Sequence, residues 1–276
     1  KIKRGDFSDD IINSVKLNMK MSHETSMESM SSRLWLIMSI ILEDIPWQDI
    51  KTYPQRIDKV SKNQIIEVAN KYFNENYLIL RSGKGEHKKV KIQKPPFKPV
   101  APKNTEKKSS YAQSLEKIKP TKIKPRFIDF NKDVSRREIK KGVKLFHVEN
   151  PINTIFSLKL QYGVGTIENP ALSQSAQLIS LLGTKNKTFD EFKGELQKIG
   201  SKIEVYSNND YFGFNVSGFD DNFSETLVLL NEFISEMHVR ESDNEKLKKI
   251  IESSKIQRER ELKEPSIAGR ALKDYV

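Results

Sequence analysis

The sequence predicts an α+β protein in which helices cover one face of a mainly antiparallel sheet. Three observations carry that expectation. Apolar residues recur at helical spacing in long blocks, and short alternating runs are bounded by Asn- and Pro-bearing turns. After the middle of the chain the order reads strand, strand, helix, helix, strand, strand, helix, helix. The 276 residues are 36% hydrophobic and 31% charged, enough apolar material for one or two modest cores. With no cysteine, disulfides and thiolate metal sites are excluded. No run approaches the roughly 20 apolar residues of a spanning helix, and the longest, residues 34–42, is interrupted by Ser39. The chain opens Lys1-Ile2-Lys3-Arg4, with neither an initiator Met nor an apolar signal core, and is expected to be a fragment that starts inside a domain.

The first block reads as helical. Ser8 or Asp9 is placed to cap a helix, because a short side-chain oxygen accepts from the free N–H groups of a first turn. Ile11, Ile12, Val15 and Met19 follow at helical spacing. Ser26 is expected to open a second helix with Met27, Met30, Leu34, Ile37 and Ile41 on one face, a stripe read as packed core. Ser61 and Gln64 form a capping-box pair ahead of Ile65, Val68, Ala69 and Tyr72. The run Tyr77-Leu78-Ile79-Leu80 then reads as a strand ending at Ser82-Gly83.

The net charge of +11 is concentrated in one place. Residues 86–132 hold thirteen lysines and one arginine against three glutamates and one aspartate, an excess of ten positive charges. The same segment carries Pro95, Pro96, Pro99, Pro102, Pro120 and Pro125. Proline at that density favours extended backbone and forbids long helices, so the segment reads as a semi-rigid solvated linker with one short helical turn around residues 110–117. Aromatic residues for base stacking are sparse there (Phe97, Tyr111, Phe127, Phe130), so no nucleic-acid partner is expected, and a nucleic-acid-binding arm is the less favoured reading.

Beyond the linker, residues 143–148 and 154–162 read as two strands joined by a turn at Glu149-Asn150-Pro151. Phe156, Leu158, Leu160 and Tyr162 alternate with Ser157, Lys159 and Gln161, which buries one face. A helix from about Pro170 carries Leu172, Ala176, Ile179 and Leu182 and stops at Gly183. Another, residues 189–199, ends at Gly200. Strands at 202–206 and 211–217 flank the turn Asn208-Asn209-Asp210. Two longer helices close the chain, the first striped with Phe223, Leu227, Leu230, Ile234 and Met237, the second spanning about residues 241–263.

This order, with several local features, resembles the repeated domain of the pitrilysin/insulinase family of zinc metallopeptidases. Gly142-Val143-Lys144-Leu145 resembles the strand opening of such domains. Gly163-Val164-Gly165-Thr166 followed by Glu168 resembles the turn before their metal helix, and residues 170–184 lie where that helix belongs. Gly5-Asp6-Phe7-Ser8, Val60-Ser61-Lys62-Asn63-Gln64 and Lys71-Tyr72-Phe73 resemble the later part of a second copy. The resemblance implies two-layer pitrilysin/insulinase-like domains, one partial and one nearly complete: residues 1–85 as the C-terminal part of one, 86–135 as the linker, and 136–276 as an inactive one.

The family's chemistry rests on H-x-x-E-H, whose two imidazoles hold zinc while the Glu takes a proton from the metal-bound water, and on a further Glu from a later helix. By the resemblance those positions fall on Gln174, Gln177, Leu178 and, near the later helix, Gln257. No catalytic residue, metal ligand or cofactor site is therefore expected in this chain, and zinc is expected in a preceding domain of the parent. Peptide or unfolded protein is the expected substrate, and the remaining domains of the same chain or a partner subunit the expected partners. The four histidines, His23, His87, His147 and His238, are scattered and read as surface or capping residues. No phosphate-binding glycine loop is expected at Gly163 and Gly165. Glu259, Glu261 and Glu264 interleaved with Arg258, Arg260 and Lys263 read as a solvated helix face. Arg270 and Tyr275 are not assigned the family's substrate-gripping roles.

Overall fold

The computed structural model describes residues 1–83, 85, 93, 100, 103, 105–122, 124–125, 127–267, 269 and 272. His87, Phe97, Pro95, Pro96, Pro99, Pro102, Arg270 and Tyr275 lie outside the described residues. Two compact units result, residues 1–74 with 150–276 and residues 75–149. No described helix is long and apolar enough to cross a membrane.

In the first unit, a short turn of helix at Ile2–Arg4 ends on Gly5 at φ 72°. Ser8 then caps α1 (Asp9–Glu28), its hydroxyl accepting from the Ile11 N–H at 3.4 Å. This helix runs straight through Ser26, which does not open a new one. The Ser26 hydroxyl donates back to the His23 carbonyl at 2.7 Å, satisfying itself inside the helix. The break falls at Ser29, which accepts from the Ser32 N–H and caps α2 (Met30–Leu42). The stripe expected to be core is also corrected: Met30, Leu34 and Ile41 are 74%, 58% and 73% exposed, and no α2 residue is buried. Helical spacing reports that a face is apolar, and only packing reports what covers it. Two short helices unforeseen in the sequence, α3 (Trp47–Lys51) and α4 (Tyr53–Lys59), lead to α5 (Lys62–Tyr72). α5 opens with both bonds of the Ser61/Gln64 capping box in place. Lys62 Nζ donates to the Phe7 carbonyl at 2.6 Å and lies 5.0 Å from the Phe7 ring centre, fastening α5 to the start of α1.

In the second unit the expected strand at residues 77–80 is not formed. Leu78 and Leu80 are 83% and 87% exposed, and a strand without a ladder partner has nothing to hold it. The short helix α6 (Ser110–Glu116) forms as expected, capped by Ser109. β1 (Ser135–Lys140) and β2 (Val143–His147) make an antiparallel hairpin, which corrects the pairing of residues 143–148 with 154–162. Its turn needs Gly142, at φ 82°, a conformation cheap only for glycine, and the Gly142 N–H donates to Glu138 Oε1 at 2.9 Å.

Back in the first unit, β3 (Ile155–Tyr162), α7 (Leu172–Ile179), β4 (Gly183–Thr184), α8 (Phe189–Lys198), β5 (Lys202–Ser207), β6 (Phe212–Phe219), α9 (Phe223–Glu236), β7 (Met237–His238) and α10 (Asp243–Glu261) follow in order. The sheet order is β3-β6-β5, antiparallel throughout, with Leu158 and Ile203 both opposite Val216. Gly183 is not a helix terminator. It sits in β4 opposite His238, and a Cβ there would lie 2.2 Å from the Lys187 carbonyl oxygen, so the close approach excludes any side chain. The core is built by alternation: Phe214 and Val216 of β6 meet Phe192 and Leu196 of α8 and Leu230 and Phe233 of α9. The Phe192 and Phe233 rings stack at 5.0 Å, and burying each such side chain contributes about 1.5–3 kcal/mol.

α1 belongs to this same unit. Gly200 turns out of α8 at φ 61°, and a Cβ on it would meet Leu17 Cδ2 of α1 at 2.8 Å. Asn153 donates to the Glu24 carbonyl at 3.1 Å, and Lys198 faces Asp10 at 3.6 Å.

Candidate functional site

The segment entering α7 is organised by backbone N–H groups seeking acceptors. Gly165 N–H donates to Glu168 Oε2 at 2.9 Å, and this bond holds the Glu168 carboxyl below its ordinary range. Gly165 also packs so tightly on the β5–β6 turn that a Cβ would lie 2.0 Å from the Asn209 carbonyl oxygen. Asn169 Oδ1 then accepts from the Ala171 N–H at 3.1 Å, just before α7 begins.

Ala176 is the buried residue of α7. Gln174 and Gln177 are three residues apart and Leu178 is four from Gln174, so the three side chains share a face. α10 packs beside α7, anchored by Ile250 in the core and by Lys246, whose Nζ donates to the Leu181 carbonyl at 3.0 Å. Between the two helices lies a groove of ≈ 900 Å³ lined by Gln174, Gln177 and Leu178 from one side and Leu247, Ser254 and Gln257 from the other. All four sequence-assigned positions thus meet in one place. Gln174 and Leu178 are half-buried, while Gln177 and Gln257 are exposed. Gln257 Nε2 donates to Glu261 Oε1 at 3.0 Å. Among the described residues the carboxamides of Gln174 and Gln177 have no hydrogen-bond partner.

Zinc is held by imidazole, thiolate or carboxylate donors. Three carboxamides and a leucine do not fit it, and Glu261 is a single carboxylate already engaged by Gln257. Among the described residues no three His, Cys, Asp or Glu side chains converge as a metal-binding group. His23 packs on Tyr53 with ring centres 4.9 Å apart, His147 lies opposite Ser135, and His238 lies opposite Gly183, two residues beyond α9. Glu259 and Glu264 are exposed with Arg258, Arg260 and Lys263, whereas Glu261 is half-buried in the groove wall.

An ionic network that the sequence did not reveal fixes the start of α10. Lys187 Nζ bridges Glu195 Oε2 of α8 and Glu232 Oε2 of α9, both at 2.7 Å. Its hydrogen bond to Glu195, then that to Glu232, hold the ammonium above its ordinary range. The fully buried Thr184 donates to Glu232 Oε1 at 3.2 Å. Arg240 Nη2 donates to the carbonyls of Thr184 at 2.6 Å and Lys187 at 2.9 Å. Asp243 accepts from the Arg240 N–H at 2.8 Å and faces Lys246 Nζ at 2.8 Å. Lys246 first, then the Arg240 N–H, hold the buried Asp243 carboxyl below its ordinary range against the desolvation that pushes it up. Partners up to 56 residues apart leave no periodic trace in a sequence.

Residues 165–271, which include both walls of the groove, match the family model described as Insulinase (Peptidase family M16). Among solved structures, the chain is similar to a protease from Helicobacter pylori, at 17% identity over 44% of this chain and 30% of that one, with a TM-score of 0.37. It is also similar to the periplasmic protease PqqL from Escherichia coli, at 11% identity over 88% of this chain and 29% of that one, with a TM-score of 0.35. The chain therefore spans less than a third of the length of either protease. No curated protein matches it. The likeness to the insulinase family, peptidase family M16, lies in residues 165–271.

Proposed function

We propose that this chain is a non-catalytic middle segment of a zinc-dependent metalloendopeptidase that degrades peptides in a closed chamber, with the catalytic zinc domain in a preceding part of the parent. In this reading residues 1–85 are the later part of one peptidase-like domain, residues 86–135 a basic linker, and residues 136–276 an inactive peptidase-like domain. One observation carries it: Gln174, Gln177, Leu178 and Gln257 converge between two packed helices inside the family-matched residues. A two-helix address with carboxamides at its centre has no basicity to activate water and no donors of zinc's kind. Zinc and a proton-accepting carboxylate are then supplied by another domain or a partner subunit, and the substrate is peptide or unfolded protein.

Equilibrium dialysis and a peptide-cleavage assay test this directly. The unaltered chain is expected to take up no stoichiometric zinc and to leave an unfolded peptide intact; tight one-to-one zinc with hydrolysis overturns the reading. The combined variant Gln174→His, Gln177→Glu, Leu178→His, Gln257→Glu is expected to gain one zinc per chain. A folded variant that gains none shows that these are not the metal positions.

A further inference from the structure

Charge in this chain is segregated by structural unit. Residues 75–149 carry twenty-one Lys and Arg against eight Asp and Glu, an excess of thirteen positive charges. The remaining residues hold twenty-seven against twenty-nine, an excess of two negative charges. The basic unit also has no interior, since none of its described residues is buried. Its β1–β2 hairpin is exposed apart from the half-buried Leu145, and two strands by themselves are marginal in water. The densest stretch, residues 117–128, contains five Lys or Arg and no Asp or Glu. Lys117, Lys119, Lys122 and Lys124 are exposed, and among the described residues none of them has a carboxylate partner. Ile118, Phe127 and Ile128 stand exposed between and beside them. Pro120 and Pro125 interrupt any helix there.

A soluble polyanion satisfies the lysines and leaves Ile118 and Ile128 bare, because an aliphatic side chain neither pairs with a phosphate nor offers a base a stacking surface. An anionic bilayer surface rewards both kinds of side chain at once. Lysine stems lie along the apolar boundary with their ammonium groups among lipid phosphates, while isoleucine and phenylalanine enter the acyl edge. We infer that residues 117–128 dock on an anionic lipid bilayer surface and hold the chain at the membrane interface. The contact is peripheral, as no described helix is long and apolar enough to span. The inference uses only residues of the second unit and does not depend on the non-catalytic reading of α7 and α10.

Co-sedimentation of the full chain with vesicles tests this. Binding is expected to phosphatidylcholine vesicles containing about a third phosphatidylserine and not to phosphatidylcholine alone, and it is expected to weaken as salt rises. Lys117→Gln, Lys119→Gln, Lys122→Gln and Lys124→Gln together are expected to weaken it by at least about a hundredfold, at roughly fivefold per lysine. Ile118→Ser with Ile128→Ser is expected to weaken vesicle binding about tenfold and to leave retention on heparin, a soluble polyanion, unchanged. All six side chains are exposed in a unit without a core, so neither variant removes buried packing. No binding to the phosphatidylserine vesicles, or equal binding to neutral ones, overturns the inference. Undiminished vesicle binding by the lysine variant places the contact elsewhere, as on the bare stripe of α2, and overturns it. Undiminished vesicle binding by the isoleucine variant leaves a contact of charge alone and overturns it too. Tighter binding to duplex DNA than to the vesicles at equal salt makes the unit a nucleic-acid arm and likewise overturns the inference.

Discussion

Asp243 shows how much one side chain fixes in this fold. It is 3% exposed, takes the Arg240 N–H and faces Lys246, and so sets where α10 begins relative to β7. Because its folded pKa is depressed, its stabilisation is fully present above the unfolded carboxylate value near ~3.9 and is lost as pH falls through the lower folded value. Asp243→Asn is expected to cost about 1–3 kcal/mol at pH 7, as for a charged hydrogen bond, and progressively less below about pH 4. Urea unfolding of both proteins at the two pH values measures it, and an equal loss at both would mean that charge is not what Asp243 contributes. Residue-scale signals were legible where the cause is local. Ser8 and the Ser61/Gln64 box act within a few residues of themselves, and Gly200 ends α8 at positive φ as the sequence indicates, though its close approach to Leu17 of α1 has no local trace. Gly183 looks the same as Gly200 in sequence but serves a contact with the Lys187 carbonyl, which no local pattern encodes.

At the scale of elements, alternation and periodicity located the strands and helices of residues 155–261 well, because each buries one face against its neighbours. They failed where an element's partner was misassigned. The β2 strand was foreseen, yet its partner is β1, which the charged run Ser135-Arg136-Arg137-Glu138 concealed. The α2 stripe was foreseen, yet it is uncovered. That exposure gives a sharp expectation. Leu34→Gln with Ile41→Gln is expected to change unfolding free energy by no more than about 0.5 kcal/mol per site, the range for surface substitutions. A urea-midpoint loss several times larger would place α2 in a core.

For the whole molecule, the decisive feature is that α1 lies against α8 and β3, so residues 1–74 and 150–276 form one unit. Cleavage at a site-specific protease site placed at residues 118–121 is expected to leave the two flanking fragments co-eluting on size-exclusion chromatography. Leu17→Asp, which puts a charge against Gly200 and Phe219, is expected to make them separate after the cut. Separation of the unsubstituted fragments would show that α1 does not hold the unit together.

By itself, the sequence determined the α+β order of the second half, the caps at Ser8 and Ser61 in the first, and the concentration of positive charge and proline between them. Each of these is written in residues close together, where hydrogen-bonding groups and side-chain period act locally. Only the tertiary structure decided that Gln257 joins Gln174, Gln177 and Leu178 across a groove, that Lys187, Glu195, Glu232 and Arg240 form one network, and that α2 stays bare. Those outcomes depend on which distant surfaces meet, and burial is a property of the pair and not of either sequence alone.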